Sequence, residues 1–221
     1  MRKYIFFTIW IILLVLVPLT IFQTTPLAAV TKYPVTLMNF LQRFAGLIAY
    51  ILLFEQIVMG AFLPRLIDKF GEWIFNFHIL QGKLVYLLVL AHPVFFMFFN
   101  HFAGAGWNPY AVFINACLLC DTQIGYYYTL GMISFWLLTV TVFAVVFQNT
   151  SPWLRKNWKK MHVVNYIVFL LVGLHGFLLG IDFKVQPFYT FAVLAYVVIL
   201  GIVVFIEIPR LYKACIKWLN S

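Results

Sequence analysis

Residues 73–99 of the chain read WIFNFHILQGKLVYLLVLAHPVFFMFF, and within this run the basic side chains are His78, Lys83 and His92. A helix needs about 20 mostly apolar residues to cross a hydrocarbon core of about 30 Å, so this run predicts a transmembrane helix. Ionisable groups inside such a helix are costly and usually functional. The two histidines and the lysine are therefore the first candidates for a site.

Similar apolar runs recur along the whole chain, which is 65% apolar or aromatic and 10% charged, against about 25% charged in a typical soluble domain. We predict an all-α integral membrane fold, a six-helix transmembrane bundle in which the first helix and its outer loop occupy residues 1–39, one integral domain occupies 40–209 and a short basic cytoplasmic tail occupies 210–221. The predicted spans are Tyr4–Phe22, Phe40–Leu63, Trp73–Phe99, Tyr126–Phe147, His162–Gly180 and Phe188–Ile208.

The basic residues predict the orientation of the bundle. If six helices alternate, eleven of the 15 Lys and Arg residues fall on one side, while the longest loop on the other side, 100–125, contains none. The positive-inside rule then places both termini in the cytoplasm, and we expect a bacterial inner membrane. The first apolar run is longer than the core of a usual secretory signal, so we expect it to be retained. The net charge of +9 belongs to membrane-flanking loops, which predicts contact with lipid and no nucleic-acid partner.

Four of the five histidines lie on two predicted helices, His78 and His92 on the third and His162 and His175 on the fifth. The first pair is separated by a rise of about 21 Å and returns to within about 40° of one helix face. The second pair matches that depth, with a rise of about 20 Å, but an ideal helix leaves it rotated by about 140°. A distortion near Gly173 and Gly176, or helix tilt, would have to correct this angle.

Both helices run in the same direction, so the topology places His78 with His162 at the inner level and His92 with His175 at the outer level. Two facing imidazoles form a low-spin axial ligand set for haem and leave no open position for a substrate on the iron. Two b-type haems about 20 Å apart would span much of the hydrocarbon thickness, as electron transfer requires. The alternative is that the histidines form hydrogen bonds between helices. A zinc site is disfavoured because four ligands at two depths cannot meet at one tetrahedral ion.

The two histidine spacings, His–x13–His and His–x12–His within six spans, resemble the ferric-reductase-like transmembrane family, which includes ferric reductases and the haem domains of NADPH oxidases. The run Arg43-Phe-Ala-Gly46 resembles the opening of the family's second helix, and His92-Pro93 resembles the end of its third. Residues 128–134 and 158–166 look most like the haem-binding membrane subunit of bacterial methionine sulfoxide reductase. The resemblance covers 40–209. The methionine sulfoxide reductase branch typically has arginine at the position of His78, whereas a complete set of four histidines looks like the two-haem members of the family.

The resemblance implies haem between helices 3 and 5, with iron ligated by His78 and His162 on the inner side and by His92 and His175 on the outer side. It also makes Arg43 a candidate cofactor-binding residue. Lys83 could hold a haem propionate, or it could pair with Glu55, which lies at a similar predicted depth; intramembrane charges need such partners.

The implied function is transmembrane electron transfer by an oxidoreductase component. The sequence contains no Gly-x-Gly-x-x-Gly turn and no strand–helix alternation, so we expect no NAD(P)H or flavin domain in this chain. Electrons would come from a separate flavoprotein, from FMN or FAD held at the cytoplasmic face, or from quinol. They would pass to ferric iron, dioxygen or a periplasmic acceptor protein, which includes the methionine sulfoxide reductase alternative.

Three further features complete the prediction. The cysteines Cys117 and Cys120 lie in the outer loop, where they predict a structural disulfide or free thiols; a membrane thiol oxidoreductase is the alternative function from a different class. The stretch 110–119 is apolar but too short to span, which favours an interfacial or re-entrant segment. The basic and aromatic run 153–160 predicts anchoring to lipid headgroups or docking of an electron donor.

Overall fold

A computed structural model describes residues 2–210, together with 212 and 216. All regular structure in this part of the chain is helical. Most of the predicted tail 210–221, with Lys213, Cys215 and Lys217, lies outside the described residues. The α-helices are α1 Arg2–Thr24, α2 Leu27–Lys32, α3 Pro34–Phe70, α4 Trp73–Asn100, α5 Pro109–Phe113, α6 Gln123–Val146, α7 Pro152–His162, α8 Asn165–Leu179 and α9 Phe188–Ile202.

Five helical segments are long and apolar enough to cross a membrane, and many large apolar side chains on them are exposed. An exposed apolar surface of this extent is the expected outside of a bundle surrounded by lipid. The all-α prediction is confirmed, and the five segments are compatible with an integral membrane protein. They are Lys3–Thr24, Pro34–Phe70, Trp73–Ala105, Gln123–Val146 and Phe188–Arg210.

The predicted span His162–Gly180 is not one continuous helix. Helix α7 ends at His162, α8 begins at Asn165, and the two are bent by 42°. Helix α8 alone has 15 residues, fewer than the about 20 that a span needs, so α7 and α8 would have to serve together as a sixth span. The break at Val163 and Val164 also places His162 and His175 on different helices, so the 140° rotation of an unbroken helix does not apply.

The helix end predicted at Pro64 also differs from the one observed. The sequence predicted that Pro64 would end a helix, but α3 continues through it to Phe70 and stops at Gly71, which adopts a φ of 95°. A proline removes one backbone hydrogen bond, and neighbouring helices in a bundle tolerate this loss. Helix α4 continues through Pro93, as the predicted span Trp73–Phe99 requires.

Helix α3 forms the centre of the bundle. Its residues Ile51 and Leu52 are fully buried, and Tyr50 stacks on Phe169 of α8 with 4.8 Å between ring centroids. The connection before α9 packs against the same tyrosine through Phe183, at 5.0 Å. The two glycines of α8 admit this close packing, since Gly173 lies against the Tyr196 ring and Gly176 against Phe183. The distortion that we expected near these glycines is instead located at residues 163 and 164.

The two ends of the bundle differ in character. One end, which we call the basic side, carries Arg65, Lys69, α7 and Arg210. The opposite end, which we call the disulfide side, carries the C-terminal end of α1, the first turns of α3 and α6, the α8–α9 connection and Cys117–Cys120. The stretch 110–119 lies there as the five-residue α5 and an exposed turn, so the prediction that it does not span is confirmed.

An ion pair joins three segments at the disulfide side. Arg43 of α3 donates from Nε to Asp182 Oδ2 at 2.7 Å and from Nη2 to Asp182 Oδ1 at 2.5 Å. The same guanidinium donates to the hydroxyls of Thr24 and Thr25 at the end of α1. Asp182 is 2% exposed, and a bidentate pair with every donor engaged is the geometry in which a buried charge is stabilised. Arg43 therefore ties α1 and the α8–α9 connection to α3.

Replacing Asp182 with alanine should strongly destabilise the protein, because the Arg43 charge would remain in a mostly buried site without its counter-ion. Breaking a buried pair in this way costs about 3–5 kcal/mol. Thermal unfolding in detergent, followed by loss of the monodisperse peak in size-exclusion chromatography, would measure the effect. Lys184→Ala, an exposed position on the same connection, is the matched control; equal midpoints for the two variants would contradict the role assigned to the ion pair.

Candidate functional site

His92 and His175 come together near the disulfide side. His92 is on α4 and His175 is on α8, and their ring centroids are 6.5 Å apart with an interplanar angle of 87°. Both Nδ1 atoms face main-chain carbonyls of further helices, His92 at 2.8 Å from Gln42 O on α3 and His175 at 2.8 Å from Tyr127 O on α6. A carbonyl only accepts, so each Nδ1 carries the proton and donates it. Each Nε2 is then the nitrogen with the free lone pair.

This arrangement fits two imidazoles that share one metal centre. Two nitrogen–metal bonds of about 2.0–2.1 Å, with about 1 Å more from each nitrogen to its ring centre, place the centroids about 6 Å apart. The observed 6.5 Å agrees, although ordinary ring pairs also lie at about 4.5–7 Å. The hydrogen bonds of the ring nitrogens are stronger evidence than the centroid distance. Donation of Nδ1–H to a carbonyl is the usual way in which a metal-ligating histidine is oriented. Interhelical hydrogen bonding alone accounts for the Nδ1 atoms and not for Nε2.

Glycines on neighbouring helices bring the backbone close to these rings. A Cβ atom at Gly46 would lie 2.8 Å from His92 Nδ1, and one at Gly131 would lie 2.7 Å from His175 Cε1. Contacts below 3.0 Å do not occur for real Cβ atoms, so neither position accepts a side chain while the ring stays in place. Both glycines belong to runs that carry the family resemblance, and sequence reasoning did not single either one out as a site residue.

The second pair, His78 and His162, lies toward the basic side. The two imidazoles are near enough for their charges to influence each other, and their pairing on one metal stays a prediction. Helix α4 is continuous between His78 and His92, so the fourteen intervening steps separate the two levels by about 21 Å. His78 lies against Gly60 of α3, where a Cβ would be 3.5 Å from Cε1. The structure therefore brings the four predicted histidines together as two pairs at two depths.

His162 has a side-chain partner in place of a carbonyl. The amide of Asn165 lies 3.2 Å from His162 Nδ1 on one side and 2.7 Å from Thr141 Oγ1 on the other. Thr141 Oγ1 is also 2.9 Å from the carbonyl of Leu138. A hydroxyl has one hydrogen, so with Oδ1 toward Thr141 only two of these three contacts can be hydrogen bonds.

Turning the Asn165 amide by 180°, an assignment that hydrogen-bond logic decides, makes hydrogen bonds of all three contacts. Nδ2 then donates to Thr141 Oγ1, Thr141 donates to the Leu138 carbonyl, and Oδ1 accepts from His162 Nδ1–H. This orientation gives both the amide nitrogen and the amide oxygen of the buried Asn165 a partner and leaves His162 Nε2 with its lone pair. His162 thus has the same tautomer as His92 and His175. Asn165 could have been noticed from sequence only as a polar residue one helical turn after a histidine.

Three buried polar side-chain atoms in the described part of the chain have no hydrogen-bond partner: Gln42 Oε1, Gln56 Oε1 and His78 Nδ1. All three belong to residues of the histidine pairs or residues bonded to them, since the Gln42 carbonyl accepts from His92 and Gln56 Nε2 donates to the His78 carbonyl at 2.7 Å. Buried polar atoms are nearly always satisfied. Their concentration at the histidines fits a site that holds a polar-edged group.

Two other candidates take different positions. Lys83 lies exposed on α4, and the Glu55–Lys83 pair is not formed. The polar neighbour of Glu55 is Gln81, whose Nε2 is 3.4 Å from Glu55 Oε2 and 3.0 Å from the Leu52 carbonyl. Lys83 leaves the buried face of α4 because Gln81 occupies it. The roles of Lys83 with a propionate and of Arg43 with a cofactor stay predictions; the guanidinium of Arg43 is engaged by Asp182 and the threonines.

The remaining histidine and the cysteines lie at the disulfide side. His101 is exposed and stacks on Trp107 at 4.5 Å. Cys117 and Cys120 form a disulfide. Among the described residues no group of three or more His, Cys, Asp or Glu side chains could hold a metal ion, and each histidine pair would supply two ligands.

Asn165→Leu should change the protonation of one imidazole. Leucine has a similar volume but cannot accept from His162 Nδ1–H, so His162 should lose its fixed tautomer while His92 and His175 keep theirs. Solid-state NMR of protein labelled with 15N-histidine distinguishes protonated from unprotonated ring nitrogens, with His162→Gln used to assign the signal. Asn157→Leu, which removes an exposed amide on α7, is the control. A His162 that carries its proton on Nε2 before the substitution would refute the amide orientation.

In comparisons with known proteins, no family model, no curated protein and no solved structure matches the chain.

Proposed function

We propose that this chain carries electrons across a bilayer through two b-type haems, one held by His78 and His162 and the other by His92 and His175. The observation that supports this most is the His92–His175 pair, with centroids 6.5 Å apart and both Nδ1 atoms bonded to main-chain carbonyls. Neither aromatic packing nor interhelical hydrogen bonding requires two matched imidazoles with both Nε2 lone pairs free. A second pair at another depth extends the arrangement along the bundle.

When bound, haem would supply iron that takes up and releases one electron at a time. The residues of the chain would do the rest. The Gln42 and Tyr127 carbonyls orient two imidazoles, and Asn165 orients a third. The apolar helices around them exclude water, which limits solvent reorganisation and sets the local dielectric. With two histidines holding it, such an iron would favour electron transfer over binding of a substrate.

The basic side is the proposed entry for electrons, and we assign it to the cytoplasm. His162 is the last residue of α7, and its ring lies 6.4 Å from that of Trp158. The same helix exposes Arg155, Lys156, Lys159 and Lys160. A basic surface steers anionic partners, and this one is built on the helix that carries a ligand. A flavoprotein with an acidic docking face is therefore the proposed donor, ahead of a flavin bound at this face or of quinol.

The disulfide side is the proposed exit. Ferric iron, dioxygen and a periplasmic reductase remain the proposed classes of acceptor, and the methionine sulfoxide reductase system is one instance of the last. The chain would thus be the membrane component of an oxidoreductase in a bacterial inner membrane.

Purified from haem-replete cells, the protein should show the reduced spectrum of low-spin haem b, with about two haems per chain. His92→Ala should lower this to about one and remove the centre nearer the disulfide side. Pyridine haemochrome assay against protein concentration gives the stoichiometry, and redox titration resolves the two centres. His101→Ala, an exposed histidine, is the control. A colourless wild-type protein, or a His92→Ala variant that keeps both haems, would refute the proposal.

Gly131→Ala tests the fit at His175 with one methyl group. The new Cβ would lie 2.7 Å from His175 Cε1, so the ring must move away from Tyr127 O and the outer centre should be lost or shifted in potential. Gly201→Ala is the matched control, because a Cβ at that helical glycine meets nothing within 4 Å. Equal haem content and equal potentials in the two variants would show that His175 is not held as described.

A further inference from the structure

The disulfide between Cys117 and Cys120 lies beside the helical turn that holds His175. The cysteines are three residues apart, so the bond closes a very short ring. Crosslinks stabilise mainly by restricting the unfolded chain, and the benefit falls as the ring shortens. A purely structural role would therefore give this bond only a small stabilising effect.

Hydrogen bonds attach the same loop to α6, and the sulfur atoms take no part in them. Cys117 N donates to Thr129 Oγ1 at 2.9 Å, and Cys120 N donates to Tyr126 Oη at 3.0 Å. Thr129 Oγ1 also lies 3.3 Å from the Cys117 carbonyl. These contacts fix both cysteine backbones to the first two turns of α6, so the loop can keep its place when the sulfur–sulfur bond opens.

The sulfur and the imidazole contact neighbouring residues of one turn. A Cβ at Gly125 would lie 3.0 Å from Cys120 Sγ, and the carbonyl of Tyr127, two residues later, accepts from His175 Nδ1 at 2.8 Å. Two residues correspond to about 3 Å of helix rise. The first turn of α6 therefore connects the His92–His175 site to the disulfide through short covalent and hydrogen-bonded steps.

The loop is also reachable from outside the bundle. Leu118 and Leu119, between the cysteines, are 77% and 94% exposed, while both cysteines are half-buried. Thiol–disulfide exchange requires access of one sulfur to the other along a straight approach. A tip with two exposed leucines offers an apolar contact for a protein that brings its own disulfide.

We propose that Cys117–Cys120 is a redox disulfide that accepts the electrons delivered at this side and passes them to a disulfide of an outer protein; this rests on the proposed function. Two electrons supplied one after the other by the cofactor that His92 and His175 would hold, together with two protons from solvent, would convert the disulfide to two thiols. One thiolate then attacks the partner disulfide, and the second cysteine resolves the mixed disulfide. The partner leaves as a dithiol and the Cys117–Cys120 bond re-forms.

The test uses full-length holoprotein in nanodiscs, with Cys215→Ser as background so that the chain keeps only this cysteine pair. Anaerobic reduction with reduced viologen should bleach the oxidised haem spectrum and then expose two thiols, counted by maleimide labelling and intact-protein mass spectrometry. A separate, unlabelled portion of the reduced protein, freed of viologen, should release two equivalents of thionitrobenzoate from 5,5′-dithiobis(2-nitrobenzoate), the disulfide probe. Dithiothreitol treatment of the same sample establishes that both sulfurs can be labelled.

The outcomes separate this inference from the proposed function. Absence of haem would remove the proposed function itself. Reduced haem with no labelled thiols would overturn the redox disulfide alone. Thiol labelling in His92→Ala equal to that in the protein with His92 would also overturn it, because viologen would then be reducing the sulfurs directly. Cys117→Ser with Cys120→Ser should keep both haems and take up two fewer electrons in a reductive titration; an unchanged electron count would also overturn it.

Discussion

An imidazole inside an apolar bundle must have a partner for its ring N–H, and in this protein the partners decide how the helices pack. His92 and His175 reach carbonyls of α3 and α6 that are already part of regular helices. A ring can approach a helix backbone so closely only where the side chain is missing, and Gly46 and Gly131 supply these places. The distance between α4 and α3, and between α8 and α6, thus follows from a hydrogen bond and a missing methyl group. The positions of the free Nε2 atoms follow from the same contacts.

The break between α7 and α8 is the second constraint. An unbroken helix would direct His162 and His175 about 140° apart, away from a common partner helix. Two residues, Val163 and Val164, interrupt the helix, and Asn165 at the start of α8 meets His162 across the break. The contact spans the break and joins the last side chain of α7, the helix with the basic surface, to the first side chain of α8.

Much of this could be predicted from sequence, because hydropathy and length are strong signals for helices that must satisfy every backbone group internally. The five long apolar helices follow from hydropathy and length, and counting residues along the helices predicts which histidines share a depth. The bend could not be predicted, since a Val-Val pair carries no glycine or proline signal. The prediction at Pro64 failed for the opposite reason. Proline usually ends a helix in a water-soluble protein, but packing against neighbouring helices overrides this tendency in α3. Pairing with Glu55, one of the two alternatives for Lys83, follows from depth alone, whereas rotation about α4 turns Gln81 inward and Lys83 outward.

The two histidine pairs are held by different kinds of group, and this difference bears on how each can vary. Main-chain carbonyls orient His92 and His175. Substitutions at Gln42 or Tyr127 therefore keep the accepting oxygen atoms, whereas side chains at Gly46 or Gly131 would displace the rings. His162 depends on the side chains of Asn165 and Thr141, and His78 Nδ1 has no partner among the described residues. Hydrogen bonds to the second nitrogen raise the basicity of a ligating imidazole. Under the proposed function, this basicity would be fixed by the main chain at the disulfide side and would vary with side-chain identity at the basic side, which is the proposed entry for electrons.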